Sequence, residues 1–166
     1  MTAVTIRPAA LADSGAIAGI YNQGIAERVA TFDTDEITAE SVAGWLDGEP
    51  LLVAELDGRV VGWTRAVRSS EQCAQRGVGE YTIYLDRDAR GRGIGQRLLD
   101  ALVAAAEDAG YWKLQGRLFT TNEASRALAH RCGFREVGVY ERHGRLDGEW
   151  KDLLIVERLL AEAAGA

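Results

Sequence analysis

Cysteine, proline and histidine each occur only twice in 166 residues. Cys73 and Cys132 stand far apart without CxxC spacing, which argues against a disulfide scaffold and against a zinc site. The two His fall in no HxxxH or HExxH pattern and are too few for a His-built centre, so no metal is expected. With no linker and no internal repeat, the chain reads as one domain over 1–166. No apolar run approaches the roughly 18 residues of a membrane span. The opening MTAVTIRPAALADSG lacks the basic region and apolar run of a signal peptide. The expectation is a cytoplasmic protein with no membrane partner. Positive charge is also short. A net charge of −6 leaves no overall basic field to hold nucleic acid, so no nucleic-acid partner is expected.

What is present suits an ordinary globular core: 47% of residues are hydrophobic and 27% charged. VTIRPA (4–9) reads as a short strand. Asp13 or Ser14 is placed to cap a helix through about Glu27, with Ile17, Ile20, Tyr21 and Gly24 on one face. SVAGWLDG (41–48) reads as a short helix with Thr38 as its cap. LLVAEL (51–56) and VVGWTRAV (60–67) flank Asp57-Gly58, a hairpin signal. RSSEQCAQRG (68–77) is a polar loop and VGEYTIYL (78–85) the next strand. A helix from about Ile94 to Asp108 repeats Ile94, Leu98, Leu102 and Ala105 at helical spacing. YWKLQGRLF (111–119) is a strand, and Asn122 caps a helix ending at Cys132. FREVGVYERHG (134–144) and 148–160 close the chain as an antiparallel pair. The order β-α-α-β-β-β-α-β-α-β-β predicts a mixed α+β sheet. Only the crossover from 78–85 to 111–119 needs parallel strands.

Against the acidic background, Arg87, Arg90, Arg92 and Arg97 cluster around Gly91, Gly93 and Gly95, between a strand and a helix. The first N–H groups of a helix lack intrahelical partners and carry the positive end of its dipole. Glycines let a ligand approach that backbone, so the turn is a candidate phosphate site. It is no P-loop, because no Lys follows the glycines. Nor does GxGxG, with no acid ending the next strand, match a dinucleotide fold. A tight turn with solvated Arg is the plain structural alternative.

Arg90-Gly91-Arg92-Gly93-Ile94-Gly95 resembles the [QR]-x-x-G-x-[GA] motif of the GNAT superfamily of acetyl-CoA-dependent N-acetyltransferases. NEASRALAHRCGF (122–134) resembles the superfamily's N-x-x-[SA] segment ending in G-F. Within it, IYNQGIAERVATFDT (20–34), GEYTIYLDRDARGRGIG (79–95) and RHGRLDGEWKDLLIVERL (142–159) resemble the phosphinothricin N-acetyltransferases, and among these the arsinothricin enzymes most. These acetylate the α-amine of toxic glutamate analogues.

The resemblance implies a seven-stranded, mostly antiparallel sheet with helices on both faces, its parallel fourth and fifth strands splayed around acetyl-CoA. It implies that the backbone of Ile83, Tyr84 and Leu85 binds the pantetheine arm. The segment Arg90, Gly91, Arg92, Gly93, Ile94, Gly95 and Gln96 would hold the pyrophosphate. Asn122 would reach the pantetheine, assisted by Ser125, whereas a bare N-cap is the simpler role for Asn122. Glu80 matches the family's catalytic Glu and would accept the proton of the attacking amine. Its neighbours in sequence are apolar or small, which predicts a buried carboxylate; a solvent-facing strand Glu is the alternative. Tyr140 is a candidate general acid by the same analogy. A homodimer is implied, as is a small-molecule amine substrate.

On the substrate side the resemblance assigns Phe32, an aromatic against the acceptor, and Gln75, at the place of a family Tyr. Asp147 and Trp150 lie in the G-x-L-D-G-x-W-x-D segment near the expected pocket mouth, with plain core packing the alternative for Trp150. At the family's two loop Arg positions this sequence has Ser70 and Gln72, so Arg65, Arg68 or Arg76 is the candidate to replace an anion grip. No Ser-His-Asp or Cys-His arrangement is visible, which favours direct transfer over an acyl-enzyme. Other acceptors, such as a polyamine, an aminoglycoside or a protein N-terminus, are a second reading. A silent CoA-binding sensor is a third.

Overall fold

Asp57 and Gly58 both take positive φ, 53° and 76°, as a tight two-residue hairpin turn requires. They join β2 (Leu51–Leu56) to β3 (Arg59–Arg68). The computed structural model describes residues 3–161. The remaining strands are β1 (Val4–Pro8), β4 (Val78–Leu85), β5 (Lys113–Phe119), β6 (Arg135–Leu146) and β7 (Glu149–Leu159). The helices are α1 (Ser14–Glu27), α2 (Ala39–Ala43), α3 (Ile94–Asp108) and α4 (Glu123–Arg131). One seven-stranded sheet runs β1-β2-β3-β4-β5-β7-β6. Every pairing is antiparallel except β4 with β5.

The alternation along β2 shows why both faces need helices. Leu51 and Val53 face Ile17, Ile20 and Val42 of α1 and α2, together with Trp63. Leu52 and Ala54 face the opposite way, toward Leu98, Leu99 and Leu102 of α3. A strand buried on both faces reads as a continuous apolar run, as LLVA does. Leu98, Leu99 and Leu102 have no exposed surface. Leu102→Ala is therefore expected to cost about 2–5 kcal/mol, read as a lower denaturant midpoint at unchanged slope.

Two local expectations need correction. The second helix spans Ala39–Ala43 and not 41–48. Thr38 does cap it, its hydroxyl accepting from the Ser41 N–H at 3.2 Å. However, Gly44 and the Asp47-Gly48 turn end it early, and Trp45 and Leu46 pack from that turn against Tyr21 and Trp63. Neither Asp13 nor Ser14 caps α1 through its side chain. The Asp13 carboxylate instead accepts from Arg7 at 2.7 Å and from the Ala10 N–H at 2.8 Å. Arg7 holds that carboxyl below the usual carboxylate range. No helix among the described residues is long and apolar enough to cross a membrane.

Candidate active site

The parallel pair that forms the site is short. β4 and β5 are in register only at Val78–Lys113, Gly79–Leu114 and Glu80–Gln115. Beyond Glu80 the two strands separate. The Tyr81 ring lies over Gly116, and a Cβ there would come within 2.5 Å of it. That ring also packs against Phe134 at 4.9 Å. The gap opens on two hollows of about 360 and 320 Å³ that share Ala30, Ile83, Tyr84, Asn122 and Ser125. They are two ends of one cleft.

The first hollow is lined on β4 by Glu80 and Thr82 and on β5 by Arg117 and Phe119; Tyr21, Thr31, Phe32 and His143 complete it. Glu80 Oε1 accepts from Arg117 Nε at 3.1 Å. The Glu80 side chain is 30% exposed, so the buried carboxylate expected from its neighbours is not found. The strand opening leaves it facing the cleft, and Arg117 supplies its counter-charge. Phe32 stands edge-on to Phe119 at 4.9 Å. The Tyr21 hydroxyl donates to the Asp33 carboxylate. Burial raises the Tyr21 and Tyr84 hydroxyls above the usual phenol range, so both stay protonated at neutral pH.

The second hollow is lined by Leu85, Arg90, Gly91, Gly93, Ile94, Gly95 and Gln96 at the start of α3. Gly91 and Gly93 take φ of 74° and 77°, and nothing lies within 4 Å of where a Cβ would sit. The backbone is therefore open to an approaching group at the positive end of a fifteen-residue helix. Arg90 is not a free cation: it forms a bidentate pair with Glu27, both bonds 2.7 Å, and donates to Leu85 O. Arg92 does not line the hollow. Asn122 caps α4, accepting from the Ser125 N–H at 3.2 Å, and its amide donates to Val29 O at 3.3 Å. It borders both hollows, as does Ser125.

A cleft between splayed parallel strands, with a Gly-rich helix start at one end and a carboxylate at the other, is what a group donor carrying phosphates and a proton-losing acceptor would need. The model of the GNAT acetyltransferase family matches residues 21–134, well over half the chain. The chain belongs to this family.

Named relatives of this GNAT enzyme span nearly its full length. The phosphinothricin N-acetyltransferase of Alcaligenes faecalis is 32% identical, over 95% of this chain and 83% of that protein. The L-methionine sulfoximine/L-methionine sulfone acetyltransferase of Salmonella typhimurium is 32% identical over 97% of each. A phosphinothricin acetyltransferase from Sinorhizobium meliloti, solved in complex with AcCoA, superposes with a TM-score of 0.90 at 30% identity, covering 98% of this chain and 91% of that one. The seven-stranded sheet with a single parallel pair is the fold the resemblance implied.

Within this GNAT fold the expected site residues separate into those the cleft gathers and those it does not. Glu80, Phe32, Ile83, Tyr84, Leu85, Asn122, Ser125 and the turn from Arg90 to Gln96, apart from Arg92, all line it. Gln75 sits on an exposed one-turn helix, Cys73–Gln75, away from both hollows. Asp147 lies on the β6–β7 turn, 3.4 Å from Arg28, and lines neither hollow. Trp150 is half exposed beneath the Arg145 guanidinium, so it is neither core nor cleft. Tyr140 points to solvent beside His143 and borders neither hollow. The anion-grip candidates are also elsewhere. Arg65 lies over the Trp45 ring, Arg68 pairs with Glu49 at 3.2 Å, and Arg76 leans on Cys73.

Arg117, Thr31 and His143 line the first hollow and were not expected there. KLQGRLF shows Arg117 only as a polar position on a strand; the register that sets Glu80 beside Gln115 puts Arg117 diagonally across from it. No Cys lines either hollow, and burial pushes the Cys132 thiol up to about 12. Among the described residues, no three His, Cys, Asp or Glu side chains gather as a metal would need.

Proposed function

We propose that this enzyme transfers the acetyl group of acetyl-CoA directly to the α-amine of a small amino acid or toxic glutamate analogue, of the phosphinothricin or arsinothricin kind. Glu80 acts as the general base. The observation that carries the proposal is the continuity of the cleft: one end has a helix start with open backbone, the other has Glu80, and Ile83, Tyr84, Asn122 and Ser125 join them. The names of the relatives favour the same acceptors.

Acetyl-CoA, when bound, supplies an acetyl thioester. The backbone from Gly91 to Gln96 is suited to its pyrophosphate, through N–H groups at the positive end of α3. The β4 edge beyond Glu80 has no strand partner on the β5 side, so the stretch from Ile83 to Leu85 lies open to an extended pantetheine arm, with Leu85 O already accepting from Arg90. Asn122 and Ser125 flank the same path. Arg90 orders this turn through Glu27 rather than pairing with phosphate.

An α-ammonium group must lose a proton before its nitrogen can attack a carbonyl. Glu80 takes that proton, directly or through one water. A β4 backbone N–H stabilises the negative charge that develops on the carbonyl oxygen. The C–N bond forms as the C–S bond breaks; the new amide nitrogen gives its second proton to the leaving thiolate, and the proton on Glu80 passes to water. With no Cys along the cleft, no covalent relay is needed. The whole chain, 1–166, works as one domain, a cytoplasmic enzyme and a homodimer. The outer strand β6, exposed from Arg135 to His143 and carrying Val137 and Val139, is a surface suited to pairing two copies.

The test is thiol release from acetyl-CoA over a panel of phosphinothricin, arsinothricin, L-methionine sulfoximine, L-methionine sulfone, the common amino acids, spermidine and an aminoglycoside. Turnover confined to the α-amino acids is the expected result. Turnover on spermidine or the aminoglycoside alone would move the acceptor class. CoA binding with no turnover on any amine would point to a sensor.

A further inference from the structure

The loop that was expected to grip an anionic acceptor does not reach the cleft, yet an α-amino acid brings a carboxylate with its amine. Both groups sit on one carbon. A site that presents the amine to Glu80 must therefore receive the carboxylate beside it. A carboxylate drawn into a half-enclosed cleft without a partner carries a large desolvation penalty. Some donor has to meet it there.

We propose that Arg117 is that receptor: it binds the α-carboxylate of the acceptor and so sets the specificity of the enzyme for α-amino acids. This rests on the acetyl-transfer reading above. Arg117 is the only Lys or Arg among the described residues lining the acceptor end. Its Nε is engaged by Glu80 at 3.1 Å. Its side chain is 46% exposed, and its two terminal nitrogens make no hydrogen bond among the described residues. A guanidinium is a planar fork, and those two nitrogens match the two oxygens of a carboxylate. With Nε on Glu80 and the fork on the acceptor, the amine falls between the carboxylate it carries and the base that deprotonates it.

The other candidate cations are engaged or placed elsewhere. Arg68 is held by Glu49, Arg76 lies on an exposed turn, and Arg65 stacks on Trp45 outside the lining. The anion grip has moved from the loop before β4 to the strand after the crossover. That is why the altered 68–77 segment is compatible with an anionic acceptor.

The experiment compares L-methionine sulfone with its carboxamide as acceptors, by thiol release, in wild type, Arg117→Met and Arg117→Lys. Wild type is expected to prefer the carboxylate. Losing one partner of a charge-assisted pair should raise the sulfone KM about 30-fold or more in Arg117→Met. The carboxamide KM and the acetyl-CoA KM should be unchanged, so the preference collapses. Arg117→Lys should recover part of it. If Arg117→Met keeps the wild-type preference, the proposal is overturned. If it slows both acceptors equally through kcat, Arg117 only positions Glu80, and the proposal is overturned as well. A wild type silent on every α-amino acid overturns the α-amine reading itself, a result distinct from an active wild type whose preference survives the substitution.

Discussion

Glu80→Gln is expected to lower kcat by about 10²–10⁴-fold, the range for losing a positioned general base. The amide keeps the size and polarity of the side chain but cannot accept a proton. Binding of acetyl-CoA should be unchanged, because Glu80 lies at the acceptor end of the cleft and the Gly91–Gln96 turn at the other. A drop in kcat at constant acetyl-CoA affinity assigns the loss to proton transfer and not to folding. The Arg117 pair adds a second readout. Glu80→Gln turns the ion pair with Arg117 into a hydrogen bond from the guanidinium to a neutral amide oxygen, and it leaves the guanidinium in place. The preference for a carboxylate-bearing acceptor should therefore survive in the residual activity. Full turnover in Glu80→Gln would remove Glu80 as base.

The double variant Gly91→Ala/Gly93→Ala is expected to weaken acetyl-CoA binding by about tenfold to several hundredfold. Both positions lie in the left-handed region, at φ of 74° and 77°, where an L side chain costs roughly 1–2 kcal/mol each. No atom blocks either Cβ, so backbone conformation, not a clash, decides the outcome. The turn has two ways to respond. It can hold its shape, and the strain appears as lost stability. Or it can relax, and the N–H groups at the start of α3 lose their aim. The second response converts the strain into affinity, at tenfold per about 1.4 kcal/mol. Calorimetric titration with acetyl-CoA, run beside thermal unfolding, separates the two. Acceptor preference should not change in this variant, since Arg117 and Glu80 sit at the far end.

The strand and helix order was legible in the sequence because its signals are local. The apolar run LLVA, the Asp57-Gly58 turn and the repeat Leu98, Leu102 fix element type without reference to the rest of the chain. The end of α2 was less legible: Trp45 and Leu46 continue the apolar spacing, but they serve the core from a turn, and only tertiary packing says so. The phosphate-type turn could be found because glycine and arginine at a helix start carry their own physical meaning. Even there, composition overstated the arginines. Arg90 is neutralised by Glu27, sixty-three positions away in sequence, and no spacing rule foretells that pairing.

The acceptor end was hidden for a related reason. Glu80 and Arg117 belong to different strands, and their meeting depends on the register of a parallel pair that no local signal fixes. The ladder stops after Glu80–Gln115, at residues that look unremarkable in their own segments. Gln75, Asp147 and Trp150 were placed by family position, and their segments run elsewhere in this chain. Trp150 illustrates the difference: its alternation on β7 permits either face, and Arg145 stacked over it marks the outward one.

The most direct test of the central claim is product analysis. Wild-type protein would be incubated with acetyl-CoA and L-methionine sulfone, and the acceptor then examined by fragmentation mass spectrometry while free thiol is counted. The account predicts one acetyl group on the α-nitrogen for each thiol released, and no acetyl on the protein when the acceptor is omitted. Acetyl-CoA bound without thiol release on any α-amino acid, or acetyl found first on the protein, would contradict it.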